Sequence, residues 1–366
     1  MPSYRVQHWS TSQSLEVVVE ADRIRSVTPI ADDSTLPVIF PLYFDLQVNG
    51  GLGIDFTSGL VSPDDVRTVT AKLREHRTGG FLPTVITSNF ETMLGSIASL
   101  TKGLETDAEL ARVIPGFHLE GPYLSEIDGP RGAHPREHIR NPDWDEFQQW
   151  QDAARGRIRL MTVAPERPGA IDFIRKLTAN AVTVAIGHTN ADAATLYKAV
   201  EAGARFSTHL GNGCHAVMPR HTNVIWEQLA CDDLGASIIA DGHHLPDSVL
   251  KTILRAKTAE RLVLISDASP LAGLPAGRYQ NWGQDILIEQ SGRIGVAGTP
   301  FLAGSGSFLD QCVQHMMTAT GLAFRDAVQL ASVNPRLWLG LPVPELVVDG
   351  DWRDFSVAPL PGEGSE

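Results

Sequence analysis

The sequence predicts an α/β protein, a (β/α)8 TIM-type barrel with a small β-sandwich domain formed by the N- and C-terminal segments. Three observations predict it. Eight short apolar runs recur along the chain, stretches with helix signals join several of them, and polar residues collect where the runs end.

The first elements lie outside the barrel. Residues 15–19 (LEVVV) and 23–27 (RIRSV) read as short strands separated by Glu20-Ala21-Asp22 and followed by a proline-containing stretch up to Pro41. The barrel runs are FPLYFDLQV (40–48), FLPTVITSN (81–89), VIPGFHLEG (113–121), IRLMTVAPE (158–166), VTVAIGHT (182–189), FSTHL (206–210), ASIIADGHH (236–244) and RLVLISDA (261–268). Each is almost continuously apolar, as parallel strands covered on both faces must be.

Between the runs, Ser62-Pro63-Asp64-Asp65 supplies an N-cap, a proline at the first helical position and early acidic residues, with Val66, Val69 and Leu73 in phase behind them. Asn190 is the expected cap of a helix carrying Leu196, Ala199 and Val200 on one face, and Pro246-Asp247 opens another with Val249, Leu250 and Ile253 in phase. Past the eighth run, 285–296 reads as a hairpin turning near Ser291-Gly292, and helical patterns follow at 304–319 and 324–333. From about Leu341, prolines surround the strand-like segments ELVVD (345–349) and FSVA (355–358). The expected division is therefore a small β domain from 1–40 and 341–366, and a barrel over 41–340.

Composition bounds the function. With 366 residues, 43% of them hydrophobic, the chain buries a full core without disulfides. A formal charge of -13 argues against nucleic-acid or anionic-membrane partners, which need basic patches. Three cysteines with no CxxC pair, no secretory leader and no long apolar stretch predict a reduced, cytoplasmic protein.

In a barrel of this type the C-terminal strand ends share one face, where active sites are built. Gln47 and Asn49 end the first run, His118 and Glu120 the third, Glu166 the fourth, His188 the fifth and His209 the sixth. Asp241, His243 and His244 end the seventh, and Asp267 the eighth. Any one of these is an ordinary hydrogen-bonded residue when taken alone. Together, Glu120, His188 and His209 supply the two-histidine, one-carboxylate set of a catalytic metal with an open position, and Asp267 supplies a general base or acid.

The segments FDLQVNGGLGIDF (44–56), GFHLEGPYL (116–124), GAHP (132–135), GHTNA (187–191), THLGN (208–212), ADGHH (240–244) and SDA (266–268) resemble the amidohydrolase superfamily. Within it they resemble the N-acetylglucosamine-6-phosphate deacetylase family, over about residues 38–340. The resemblance implies Glu120, His188 and His209 as metal ligands, Asp267 as the catalytic acid/base and His134 as a contact to the substrate amide carbonyl. It also implies substrate-phosphate contacts at Asn212, Gly213 and His244, and at Arg220, which in the family reaches across a dimer interface; a homodimer is expected. Gln47 and Asn49 replace the His-x-His of two-metal relatives, so one divalent ion per subunit is expected, zinc first, with iron(II), cobalt(II) or manganese(II) as alternatives.

One segment departs from the family. HLGNGCHAVMPRHTNVIWEQL (209–229) keeps Arg220, but His221-Thr222-Asn223 stands where the family has Glu-Pro-Gly. The expected reaction is hydrolysis of the N-acetyl group of an amino sugar, N-acetylglucosamine 6-phosphate to glucosamine 6-phosphate and acetate. The alternatives are a deacetylase of a non-phosphorylated or different N-acyl amino sugar, and a catalytically silent sugar-phosphate-binding protein.

Overall fold

A computed structural model describes residues 1–299 and 301–359 of the protein. Eight parallel strands form the barrel: β1 (Tyr43–Val48), β2 (Thr78–Ile86), β3 (Phe117–Glu120), β4 (Ile158–Val163), β5 (Thr183–Ile186), β6 (Phe206–Ser207), β7 (Gly235–Ile239) and β8 (Leu262–Ile265). They neighbour one another in sequence order. The ring is closed beyond β8, where Ala268 bridges Val48 and its carbonyl accepts the Asn49 N–H at 2.9 Å.

Alternation along the strands sorts the side chains. Leu262 and Leu264 pack outward against the helices, while Val263 and Ile265 face a central cluster with Phe44, Leu46, Leu82, Leu160 and Phe206. In β3 the outward pair is Phe117 and Leu119, which leaves His118 and Glu120 facing the lumen. Above the central cluster a polar layer crosses the lumen: His118 Nε2 lies 2.8 Å from Thr162 Oγ1, and Thr162 Oγ1 lies 2.7 Å from Thr208 Oγ1. Gly187 completes this layer. A Cβ there would stand 2.7 Å from Thr208 Cβ and 2.8 Å from Thr162 Cγ2.

The small β domain is built on a five-stranded sheet in the order 355–358, 38–41, 3–8, 14–20, 23–29. Val6, Val17, Ile24 and Ile39 bury its apolar face, and Tyr4 stacks on Trp352 with centroids 4.6 Å apart. Ser62 caps helix Pro63–Glu75 in a full capping box with Asp65. No helix of the described residues is long and apolar enough to cross a membrane.

Several local expectations are corrected. The first apolar run is two strands broken at Leu42: Val38–Pro41 joins the small sheet and only Tyr43–Val48 enters the barrel. Asp192, not Asn190, caps helix Ala193–Glu201, its carboxylate accepting the Thr195 N–H at 2.8 Å. The 304–319 pattern begins its helix at Leu309, because Leu302 and Ser305 are tied by β-bridges to Gly295 and Ala268. ELVVD is a loop whose Asp349 N–H bonds Ile24. The hairpin at 285–296 is present and gains a third strand, Gly277–Asn281.

Asp45 is fully buried at the barrel's closing seam and accepts the N–H groups of Gln47 and Ser266 at 3.2 Å each. Burial pushes its carboxyl up to about 7 from 3.8, against those hydrogen bonds. The folded state therefore keeps a proton that the unfolded chain loses between these values. Its contribution to stability is full below pH ~4 and lost as the pH rises to ~7, falling by about 1.4 kcal/mol for each pH unit crossed. Asp45→Asn does not titrate, so the stability advantage of the unmodified protein over the variant is expected to shrink by a few kcal/mol from pH 4.5 to pH 7.5 (on the order of 4 kcal/mol at most). Urea unfolding at the two pH values measures it; an unchanged difference would contradict a raised Asp45.

Candidate metal centre

Glu120 reaches the catalytic rim by strand alternation, but His188 and His209 do not. Beyond β5 and β6, alternation gives the inward places to Gly187 and Thr208 and would turn the next residues away. Both histidines instead adopt left-handed backbone, φ +50° at His188 and +29° at His209, which swings the imidazoles back over the lumen. Such backbone costs energy in non-glycine residues, so its occurrence at both positions marks a constrained site.

The result is a compact donor cluster. Glu120 Oε1 lies 2.8 Å from His209 Nε2 and 3.1 Å from His188 Nε2, and the two imidazole nitrogens are 3.1 Å apart. His134 joins from the irregular segment after β3, its Nε2 3.2 Å from His188 Nε2. The donor atoms of Glu120, His134 and His188 all lie within 4.8 Å of one another, and all three residues are buried. The structure thus sets His134 beside the three residues read as ligands.

The chemistry of this set fits a divalent cation. His188 Nδ1 donates to the Pro130 carbonyl at 2.8 Å, so its Nε2 presents a lone pair toward Glu120 and His209. Lone pairs and a carboxylate converging in a buried space repel one another unless a cation sits among them. Among Glu120, His188 and His209, edges of 2.8–3.1 Å approach the ~3.3 Å expected of a tetrahedron with ~2.0–2.1 Å bonds. Burial disfavours a charge on His209, yet the Glu120 hydrogen bond and charge outweigh it and raise its affinity for a proton. A metal ion would meet that same demand for positive charge.

Two loops hold the His188 ring. Gly132 and Gly213, both at positive φ, approach so closely that a Cβ would stand 2.9 Å from Cε1 and 2.7 Å from Nδ1, respectively. Gly213→Ala is expected to disturb the Pro130 hydrogen bond and lower metal affinity by about 10–100-fold, the usual cost of losing an outer-shell partner. Competition with a chelator measures this; an unaltered affinity would show that the loop does not support the ring.

Asp267 stands on the same rim, half-buried and at φ +50°. Burial, then the charge of Glu120, raises its carboxyl above the ordinary range. Next to it Asp241 accepts the His244 Nδ1–H at 2.8 Å and the Ser305 hydroxyl at 3.0 Å, fixing the His244 ring. Asn212 follows His209 in a turn, its backbone N–H donating to the His209 carbonyl at 2.9 Å and its side-chain Nδ2 to the same oxygen at 3.3 Å. Arg220 is exposed, makes no ion pair among the described residues, and is not brought to the cluster by its own subunit. Glu166 accepts the Thr189 hydroxyl and the Asn190 N–H, which ties the fourth strand's end to the loop after the fifth. Sequence reasoning passed over Asp45, the threonine layer and Ser305. Thr162 carried a usable signal, the inward place beside Leu160, whereas Ser305 stood out only as the end of LAGS (302–305), a segment that resembles the family.

A closed eight-stranded barrel with such a donor cluster and a carboxylate at the end of its last strand defines a metal-dependent hydrolase of amide bonds. No protein-family model matches the chain. Among curated proteins, it is 35% identical over 332 residues to N-acetylglucosamine-6-phosphate deacetylase of Bos taurus, covering 87% of this chain and 79% of that one. It is 31% identical over 308 residues to N-acetylgalactosamine-6-phosphate deacetylase of Escherichia coli O157:H7, covering 83% and 78%. Among solved structures, a mutant N-acetyl-D-glucosamine-6-phosphate deacetylase from Mycobacterium smegmatis, in complex with N-acetyl-D-glucosamine-6-phosphate, superposes with a TM-score of 0.85 at 27% identity over 98% of this chain and 95% of that one. The chain belongs to the N-acetylglucosamine-6-phosphate deacetylase family.

Proposed function

We propose that the chain hydrolyses N-acetylglucosamine 6-phosphate to glucosamine 6-phosphate and acetate, at one divalent ion held by Glu120, His188 and His209. The observation that carries this is the junction of that donor cluster with Asp267 on one rim. When bound, the ion supplies Lewis acidity to the attacking water and the amide carbonyl, and zinc suits the donors best.

The remaining work falls to side chains. Asp267 takes a proton as the water oxygen bonds to the carbonyl carbon. It then delivers that proton to the amide nitrogen as the C–N bond breaks, so that a neutral amine departs. A raised carboxyl affinity suits both steps, because the group must hold the proton between them. Burial holds His134 down at about 3, so its ring is neutral and can donate to the developing oxyanion. His244, held by its hydrogen bond to Asp241, would contact the phosphate end of the sugar.

Exposed Val217 and Arg220 lie on the loop that departs from the family and exposed Trp226 on the helix that follows it, Val224–Ala230, which supports a homodimer whose two chains share the phosphate site. Three free cysteines support a cytoplasmic setting. The similarity to an N-acetylgalactosamine-6-phosphate deacetylase favours a second reading, the galactosamine isomer as substrate. Acetate release from both 6-phosphates and from unphosphorylated N-acetylglucosamine separates the readings. The highest kcat/KM is expected for N-acetylglucosamine 6-phosphate; preference for the unphosphorylated sugar would overturn the proposal.

A further inference from the structure

Gln47 and Asn49 end β1 at the same rim as the donor cluster, and both are buried, at 2% and 4% exposure. Amide side chains so placed ordinarily satisfy the backbone around them. These two converge instead on a single atom: Gln47 Nε2 donates to Asp267 Oδ1 at 3.0 Å, and Asn49 Nδ2 donates to the same oxygen at 2.8 Å. Asp267 Oδ2 makes no hydrogen bond among the described residues. At the other end of Asn49, Oδ1 is buried with no partner among the described residues, an arrangement that costs free energy and is offset here by the bond from Nδ2 to Asp267.

From this geometry we infer that Gln47 and Asn49 are positioning residues, a two-amide clamp that saturates one oxygen of Asp267 and reserves the other for proton transfer. The inference rests on reading Asp267 as the acid/base. One hydrogen bond would leave the carboxylate free to turn about its terminal torsion, whereas two donors from different residues fix its plane. Neutral amides suit the task. They favour the ionised form against burial and the charge of Glu120 without adding a cation that would abolish its basicity. They are also poor metal ligands, so the clamp keeps the first strand from recruiting a second ion beside the first. In the reaction, the water O–H bond breaks as a bond forms to Asp267 Oδ2, and the same proton passes to the amine nitrogen, so the carboxylate returns ionised to the clamp.

The test compares Gln47→Leu, Asn49→Leu, Asn49→Asp and Asp267→Asn with the unmodified holoenzyme, measuring kcat, KM, the pH profile of kcat/KM and metal content. The leucine variants are expected to lose about 10- to 100-fold in kcat, the cost of misplacing a reacting group. Their KM should stay within about twofold, their one metal per chain should remain, and the acid limb should move to higher pH by about half a unit or more. Asn49→Asp, nearly isosteric, sets a second carboxylate beside Asp267; its acid limb should move further, and it carries the test if a leucine variant fails to fold. Unchanged kcat and superimposable pH profiles, or metal lost in step with activity, would overturn the clamp. A fully active Asp267→Asn would overturn the role of Asp267 itself, a distinct result.

Discussion

Asp267→Asn is expected to lower turnover by about 10²–10⁴-fold, the range for loss of a positioned acid/base, with the metal still bound. The geometry makes the variant informative. Asparagine keeps one oxygen to accept from Gln47 Nε2 and Asn49 Nδ2, so the side chain has no reason to leave its place. What it loses is the second oxygen, replaced by an NH2 group that takes no proton from water. Neither β8 nor the left-handed turn that follows it depends on the charge. Turnover by stopped assay and metal by elemental analysis should therefore separate, the first falling and the second holding at one per chain. A metal-loaded variant with ordinary turnover would remove Asp267 from the mechanism.

The second large effect is expected at Glu120. It is the only anionic member of its cluster, and His188 Nε2 and His209 Nε2 both lie within 3.1 Å of its Oε1. Glu120→Gln preserves shape and removes the charge, leaving an amide oxygen as a poor ligand among imidazoles. Metal affinity should fall by more than the roughly 10–100-fold that an outer-shell loss costs, and turnover should fall with it. Because Asp267 is untouched, raising the concentration of the divalent ion should restore part of the activity. The same treatment should do nothing for Asp267→Asn. Titrating both variants with zinc and following acetate release draws the contrast, and restoration of neither or of both would contradict the division of labour.

The barrel was legible because its strands are covered on both faces and therefore nearly continuous in apolar residues, which marks them even where a strand is as short as Phe206–Ser207. Glu120, His188, His209 and Asp267 were legible for a related reason: a polar residue at the end of an apolar strand has nowhere to go but the rim. What the pattern could not show was how the histidines turn inward. Alternation predicts the opposite facing, and only the backbone at His188 and His209 reverses it. His134 was harder still, since it belongs to a segment with no period to read and reaches His188 only because Gly132 and Pro130 pack against that ring. The Asn190 cap failed because two capping residues stand close together. Asn190 is drawn away, its N–H to Glu166 and its Oδ1 to His215, which leaves Asp192 to cap. The Asp241–Ser305 bond spans 64 residues and carries no local signature.

The central claim is that one metal ion sits among Glu120, His188 and His209, with Gln47 and Asn49 serving Asp267 instead of a second ion. Anomalous diffraction from crystals of the zinc-loaded protein, collected above the zinc edge, tests it most directly. One peak is expected, within about 2.0–2.3 Å of the Glu120 carboxylate and both imidazole nitrogens. A second peak beside Gln47 and Asn49, or no peak within reach of Glu120, would contradict the account.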